Sequence, residues 1–310
     1  MNEFELIARL TPSLPTNAST VLGAGDDCAV LDFGLPDRWL LFKTDAVVEG
    51  VHFTATTPPD KIGRKALARC LSDIAAMAGT PTHALVTLAL PRNFDVKVVE
   101  TIYRGLNALA ARHQVAVVGG ETTTNPDRML ISISVLGTVA KHKCALRSGA
   151  QPGDAIFVTG ELGGSLAGKH LDFEPRLTEA RWLANAFPIH AMMDISDGLA
   201  GDLRHILAAS NVGAELLSEA IPVSREAKLA ARAKSAARPA LEAALGDGED
   251  FELLFTVASH DAVPLLDAWK KQFPGVRLSC IGRITAARGL IIRDKKGSRP
   301  LTVDGYVHFI

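Results

Sequence analysis

Acidic residues recur at the ends of apolar segments in this chain. Asp26 and Asp27 sit in "LGAGDDCAVL", Asp45 in "KTDAVVEGVHF", Asp73 in "LSDIAAM" and Glu121 in "VVGGETTT". Asp194 and Asp197 follow in "DISDGL", and Glu249 and Asp250 in "GDGEDFELLF". A carboxylate taken out of water is costly unless it is paired, hydrogen-bonded or bound to a metal. Hard divalent cations such as magnesium take oxygen ligands from a few carboxylates together with substrate phosphates. The adjacency of Asp26 and Asp27 fits that chemistry, because neighbours on an extended strand point to opposite faces. One carboxylate can look into a metal site while the other meets solvent or a backbone donor. The recurrence as a whole points to a multi-metal phosphate site.

Taken singly, each residue has a plainer role open to it. Asp197, ahead of "GLAGDLRHIL", suits a helix cap. Asp73 stands four residues after Arg69 and suits an ion pair along one helix. Glu121 suits a glycine turn, Glu249 and Asp250 a solvated loop end, and His52 a packed core position. "GGSLAGKH", residues 163–170, satisfies GxxxxGK after the apolar "AIFVTG", but His170 stands where a phosphate-binding loop needs the serine or threonine that holds magnesium. The following "LDFEPR" lacks a helix whose N-terminus could receive phosphate.

Elements that could position these residues follow from patterning. Residues 2–10 read as a helix, 28–33 and 38–44 as strands, and "DKIGRKALARCLSDIAAMAG" as a helix with Ile62, Ala66, Leu67, Leu71, Ile74 and Met77 on one face. "HALVTLALP" reads as a strand, 95–113 as a helix, "VAVVGG" as a buried strand and "RMLISISVLGTVA" as a longer one. "KHKCALRSGAQPGD" is polar and turn-rich and reads as an interdomain connection. Beyond it "AIFVTG", "AMMDIS" and "DFELLFTVA" read as strands, and "DGLAGDLRHILAAS" and 261–273 as helices. "REAKLAARAKSAARPALEAAL" reads as a solvated helix pair broken near Pro239. The irregular alternation, without a nucleotide-binding βαβ repeat, predicts an α+β architecture. At 310 residues two domains are expected, divided as 1–140, a linker at 141–153, and 154–310.

Bulk properties narrow the function classes. With 33 basic and 34 acidic residues the formal net charge is -1, which gives no electrostatic footprint for nucleic acid. Cys28, Cys70, Cys144 and Cys280 are dispersed without a CxxC pair, against a zinc knuckle or a disulfide framework. No apolar run approaches the ~20 residues of a membrane span, and "MNEFELIARL" lacks the basic start of a signal peptide. A cytoplasmic protein that binds neither membrane nor nucleic acid is the expectation, and the sequon Asn17-Ala18-Ser19 would have no role there.

Taken together, the motifs resemble those of the thiamine-monophosphate kinases, in the superfamily that also holds aminoimidazole ribonucleotide synthetase, selenophosphate synthetase and a hydrogenase maturation protein. "GAGDDCAVL", "TDAVVEGVHF", "LSDIAAMAG", "LVTLALP", "VVGGETT", "LRSGAQPGD", "VTGELGGSLAG", "DISDGL", "GEDFELLFT" and "GYVHF" occur in the family's order over nearly the whole chain. The resemblance implies a two-domain aminoimidazole ribonucleotide synthetase-like fold. Its N-terminal domain strands form a dimeric barrel, and its C-terminal domain is α+β. It also implies ATP-dependent phosphorylation of thiamine monophosphate to the diphosphate by a homodimer, with several magnesium ions and no general base, a monovalent cation being left open. Asp27, Thr44, Asp45, Asp73, Glu121, Asp194 and Asp197 would hold the metals. Tyr103, Gly119, Gly120, Arg147 and Ser196 would contact ATP, and His52, Glu249 and Tyr306 the thiamine phosphate.

The chain departs from the family pattern at Lys43, where a small hydroxyl residue is usual, and at Glu121, where Asp is usual. It departs again at Gly246-Asp247-Gly248, where the family usually has two glycines before the acidic pair, and in a shortened "LAGKHLDFEPR". Strand alternation puts Leu41, Lys43 and Asp45 on one face. Lys43 then serves either as a fixed charge replacing one magnesium ion or as a simple i,i+2 partner of Asp45. Two other activities stay open: a superfamily relative that activates an amide or thiocarboxylate oxygen with ATP, and a nucleotide-binding homologue without turnover.

Overall fold

The computed structural model describes residues 3–233 and 238–307. Helix α1 (Glu3–Leu10) is followed by strands β1 (Thr20–Leu22), β2 (Ala29–Leu31) and β3 (Arg38–Val48), then α2 (Pro59–Ala76), β4 (Thr80–Leu90) and α3 (Val96–Arg112). Strands β5 (Ala116–Thr124), β6 (Leu130–Ala140) and β7 (Ala155–Thr159) lead into α4 (Lys169–Asp172), α5 (Leu177–Ala186), β8 (Ile189–Asp194) and α6 (Leu199–Ser210). The rest is β9 (Gly213–Leu217), α7 (Arg225–Arg232), α8 (Ala240–Gly246), β10 (Leu253–Val257), α9 (Ala262–Gln272), β11 (Leu278–Thr285), β12 (Gly289–Asp294) and β13 (Gly297–Pro300). These elements form two compact units. One holds Ala18–Cys144 and Gly168–Leu177, and the other the described residues of Met1–Asn17, Ala145–Ala167 and Thr178–Ile310.

The first unit is a six-stranded sheet in the order β1-β2-β3-β6-β4-β5. All its pairs are antiparallel except β4 with β5, which the crossover helix α3 joins in parallel. That single βαβ unit was not foreseen from the sequence. Helix α2 buries Ile62, Leu67, Leu71 and Ile74 as its spacing predicts. Its backbone comes unusually near α3: a Cβ on Gly63 would stand 1.9 Å from the Ile102 carbonyl oxygen, and one on Gly105 1.8 Å from that of Asp60. Alternation along β3 and β6 turns Leu41, Ile131, Ile133 and Val135 inward. The same alternation leaves Phe42 and Leu136 exposed on the other side, and Leu85 of β4 is exposed as well. Strand β5 is an edge strand and almost wholly exposed, with Val118 58% accessible, so the expectation of a buried "VAVVGG" strand is corrected. An apolar run suits an edge facing outward as well as a buried strand.

The second unit carries a seven-stranded sheet ordered β13-β12-β9-β11-β7-β10-β8, antiparallel apart from the β9–β12 pair. Ile156, Val158, Met193, Leu254 and Ile281 form a core with Leu203, Ile206 and Leu207 of α6. Phe157 and Phe255 alternate to the opposite face and stack at 5.5 Å. Trp182 of α5 meets Trp269 of α9 edge-on at 6.0 Å. The helix pair expected around Pro239 is α7 and α8, with Pro239 at the N-cap of α8. It is not wholly solvated, since Ala227, Ala244 and Leu245 are buried. Residues 234–237 of that segment, Asn2 of the first helix, and His308 and Phe309 of "GYVHF" lie outside the described residues.

Candidate active site

In the first unit the acids gather where β2, β3 and α2 meet. Asp27 and Asp73 are both buried, and one oxygen of each comes within 4.8 Å of the other. Asp26, beside Asp27, accepts the backbone N–H of Asp27 at 3.0 Å, so the adjacent carboxylates do different things. Lys43 Nζ lies 2.9 Å from Asp73 Oδ1. Arg69 pairs with Asp45, Nη2 donating to Oδ1 at 3.3 Å and Nε lying 3.0 Å from Oδ2. The i,i+2 pair of Lys43 with Asp45 is therefore not the arrangement found. Strand β3 continues to Val48, past the expected end at residue 44, and its inner face turns Lys43 toward α2. Burial would by itself lower the Lys43 pKa, but the Asp73 and then the Asp45 carboxylate outweigh it and hold the ammonium above its ordinary range. Two close carboxylates answered by one ammonium keep excess negative charge, a donor set that suits a hard divalent cation. The neighbouring thiols of Cys28 and Cys70 are pushed up by burial and then by nearby carboxylates, which leaves them unreactive.

Other residues singled out in this unit are spread around the sheet. Thr44 alternates to the outer face, where its hydroxyl accepts from Ser134 Oγ at 3.1 Å and donates to the Ile133 carbonyl at 3.3 Å. Gly119, Gly120 and Glu121 lie on β5, and Glu121 Oε1 accepts the N–H of Thr122 at 3.1 Å. Tyr103 is half-buried on α3, and burial raises its pKa. His52 follows β3 in a turn in which Nδ1 accepts the Val48 N–H at 3.1 Å. In a neutral ring that places the proton on Nε2. The carbonyl of His52 accepts from Lys65 Nζ at 2.6 Å. Lys65 is fully buried and also donates to His170 Nδ1 at 2.9 Å. The shortened segment, whose α4 has four residues, is thus tied to α2, and nothing in the sequence pattern marked Lys65 for this.

In the second unit α6 organises the remaining residues. Its N-cap is Gly198 and carries no side-chain cap, so Asp197 is not the capping residue. Asp202 is buried and accepts the Asp197 N–H at 3.1 Å. Its carboxyl is raised by burial first and then by the Asp197 and Asp194 charges. At the other end of α6, Ser210 Oγ accepts the N–H groups of Gly149 and Ala150, both at 3.1 Å, and so steadies the loop that carries Arg147. Asp194 ends β8 opposite Leu253 of β10. The ladder continues irregularly as Glu249 N–H donates to Ser196 O at 2.6 Å and Phe251 N–H to Ile195 O at 2.8 Å. Glu249 and Phe251 have φ of 66° and 51°, a region that side chains other than glycine seldom occupy and that clusters at functional sites. Tyr306 joins the same group, its N–H donating to Asp197 O at 2.8 Å. The GxxxxGK look-alike is accounted for here too. The Gly163 N–H is taken by Asp250 and the Gly164 N–H by Asp247, both at 2.9 Å, so carboxylates hold amides that a phosphate loop would offer to its ligand.

Comparison with known proteins places this arrangement in a family. The sequence model for the AIR synthase related protein, N-terminal domain, matches residues 25–139, and that for its C-terminal domain matches residues 151–295. Thiamine-monophosphate kinase of Rhodopirellula baltica is 42% identical over 277 residues, 87% of this chain and 85% of its own length. That of Bacillus subtilis is 33% identical over 336 aligned positions, covering all of both chains. Among solved structures, AaThiL complexed with AMPPCP and TMP superposes with a TM-score of 0.84 at 30% identity, covering 99% of this chain and 97% of that one. The chain therefore belongs to the AIR synthase related family and, within it, to the thiamine-monophosphate kinases.

Proposed function

We propose that this enzyme transfers the γ-phosphoryl group of ATP directly to the phosphate of thiamine monophosphate, forming thiamine diphosphate. The observation that carries the reading is the chain-long similarity to a kinase solved with an ATP analogue and TMP. A phosphate monoester is already an anionic nucleophile, so in-line attack needs alignment and charge neutralisation more than a general base. The residues present suit that division of labour. Asp27, Asp45, Asp73, Asp194 and Asp197, with Thr44 and Glu121, are the proposed holders of magnesium, which would neutralise the phosphate oxygens. Lys43 adds a fixed positive charge beside Asp73. Tyr103, Gly119, Gly120, Arg147 and Ser196 are proposed to orient ATP. His52, Glu249 and Tyr306 are proposed to line the thiamine-phosphate pocket, with His52 Nε2–H toward phosphate and the Tyr306 ring stacking on the heteroaromatic substrate.

The proposed division of labour along the chain is metal and nucleotide binding with dimerisation in 1–140, a linker at 141–153, and an α+β domain in 154–310. A homodimer is favoured by the outer sheet face of the first unit, where Phe42, Leu85, Val118 and Leu136 are exposed, and by the unpaired edge of β5. Two such sheets pairing edge to edge would make the proposed barrel. No helix among the described residues is long and apolar enough to cross a membrane, and a cytoplasmic location is proposed. Product identification after incubation with ATP, magnesium and thiamine monophosphate tests the reading. Thiamine diphosphate and ADP in equal amounts support it, and release of inorganic phosphate without the diphosphate favours an amide- or thiocarboxylate-activating relative.

A further inference from the structure

The described end of the chain crosses the N-terminal half of α6 and is fastened there at several points. Arg204 Nη2 donates to the Leu301 carbonyl at 3.0 Å, and Nη1 lies 3.2 Å from Asp304 Oδ1. Leu301 N–H donates to Leu290 O at 2.9 Å, and Tyr306 N–H to Asp197 O at 2.8 Å. Between these bonds the tail lies directly on the helix backbone. A Cβ on Gly201 would stand 3.1 Å from the Gly305 Cα, and one on Gly305 would meet the Asp197 carbonyl oxygen at 2.6 Å. On the flank, a Cβ on Gly246 would come 2.8 Å from Asp304 O. Residues with no side chain thus stand where the tail has to come closest.

We infer that Arg204 and the Gly201–Gly305 contact form a latch that positions Tyr306 over the Asp197 turn, joining the thiamine-phosphate side of the site to its metal side. The inference rests on the proposed roles of Tyr306 and Asp197. Arg204 touches neither substrate in this account and is a positioning residue. Its guanidinium spans a backbone carbonyl and a carboxylate three residues apart, so it fixes the tail's path as well as its proximity. Tyr306 is 49% exposed, and its backbone N–H is held by the Asp197 carbonyl at 2.8 Å.

The test compares wild type, Gly201→Ala, Arg204→Met and Arg204→Lys, using the full chain. Alanine is a good helix former, so Gly201→Ala should keep α6 while pushing Gly305 away. Amide exchange at Tyr306 should speed up roughly tenfold or more in Gly201→Ala and Arg204→Met, and less in Arg204→Lys. The KM for thiamine monophosphate should rise about tenfold while that for ATP stays within about twofold. Unchanged Tyr306 exchange in both of the first two variants overturns the latch. Faster exchange with equal effects on both KM values overturns the positioning role. A wild-type chain that makes no thiamine diphosphate overturns the proposed function instead, and the latch then stands or falls on the exchange alone.

Discussion

Lys43 Nζ sits 2.9 Å from Asp73 Oδ1, reaching from the middle of β3 to the carboxylate that shares its surroundings with Asp27. A fixed cation beside two buried acids does part of what a metal ion would do. Lys43→Met should lower stability in magnesium-free buffer by about 3–5 kcal/mol, because it leaves buried like charges unanswered. Magnesium should then restore more stability than it adds to wild type. Lys43→Ser should make activity depend more steeply on magnesium. A Lys43→Met enzyme with the parent's rate and magnesium dependence would make the lysine a bystander.

Asp27 presents the complementary case. Asp27→Asn removes one of two like charges within 4.8 Å and should leave the fold intact, with a melting temperature in the absence of metal at or above that of wild type. Turnover should fall by about 100-fold or more. The stabilisation that magnesium gives the wild type should shrink in parallel. Full retention of that thermal shift would remove Asp27 from the metal site.

Glu174 gives a pH signature remote from these acids. Burial pushes its carboxyl up, but the His113 hydrogen bond and the Arg112, His113 and Arg64 charges hold it below the ordinary value of 4.5. Arg112 Nη1 and His113 Nε2 both lie 3.0 Å from its oxygens, while Lys61 pairs with Asp172 nearby on the same segment. A depressed carboxylate contributes stability that is complete above its unfolded pKa and is lost as pH falls through the lower folded value. Thermal melts of Glu174→Gln should therefore run below wild type at neutral pH and converge with it as pH drops beneath 4.5. Parallel curves down to pH ~3 would assign no linkage to this group.

The exposed face of the first sheet makes a prediction about assembly. Val118→Glu on the edge strand and Leu136→Arg on its neighbouring face place charge where a second copy would pack. Sedimentation should show a dimer for wild type and predominantly monomers for the double variant. A wild-type monomer at micromolar concentration would contradict the dimeric barrel.

The candidate site's acids and the elements that carry them were legible in local sequence, and what was not has a common cause. The acids stand out because a carboxylate beside an apolar run needs a reason to be there, and α2 and α6 follow from their spacing. The partner of Lys43 was not legible, because Asp73 is thirty residues away and only the β3–α2 packing brings it near. Lys65, Arg204 and Ser210 escaped notice for the same reason, since their partners, His170, Leu301 and Gly149, lie far along the chain. Strand β5 misled because an apolar edge strand and a buried one share a pattern. Strands β9 and β11 to β13 went unassigned, as β9 is a five-residue run holding a glutamate and the others are interrupted by glycine or arginine.

The most direct measurement follows the fate of the γ-phosphoryl group. With γ-labelled ATP, magnesium and thiamine monophosphate, all transferred label should appear in the terminal phosphate of thiamine diphosphate, one for each ADP formed, with none in free phosphate beyond the substrate-free background. Label recovered as inorganic phosphate while thiamine monophosphate is unchanged would contradict the account.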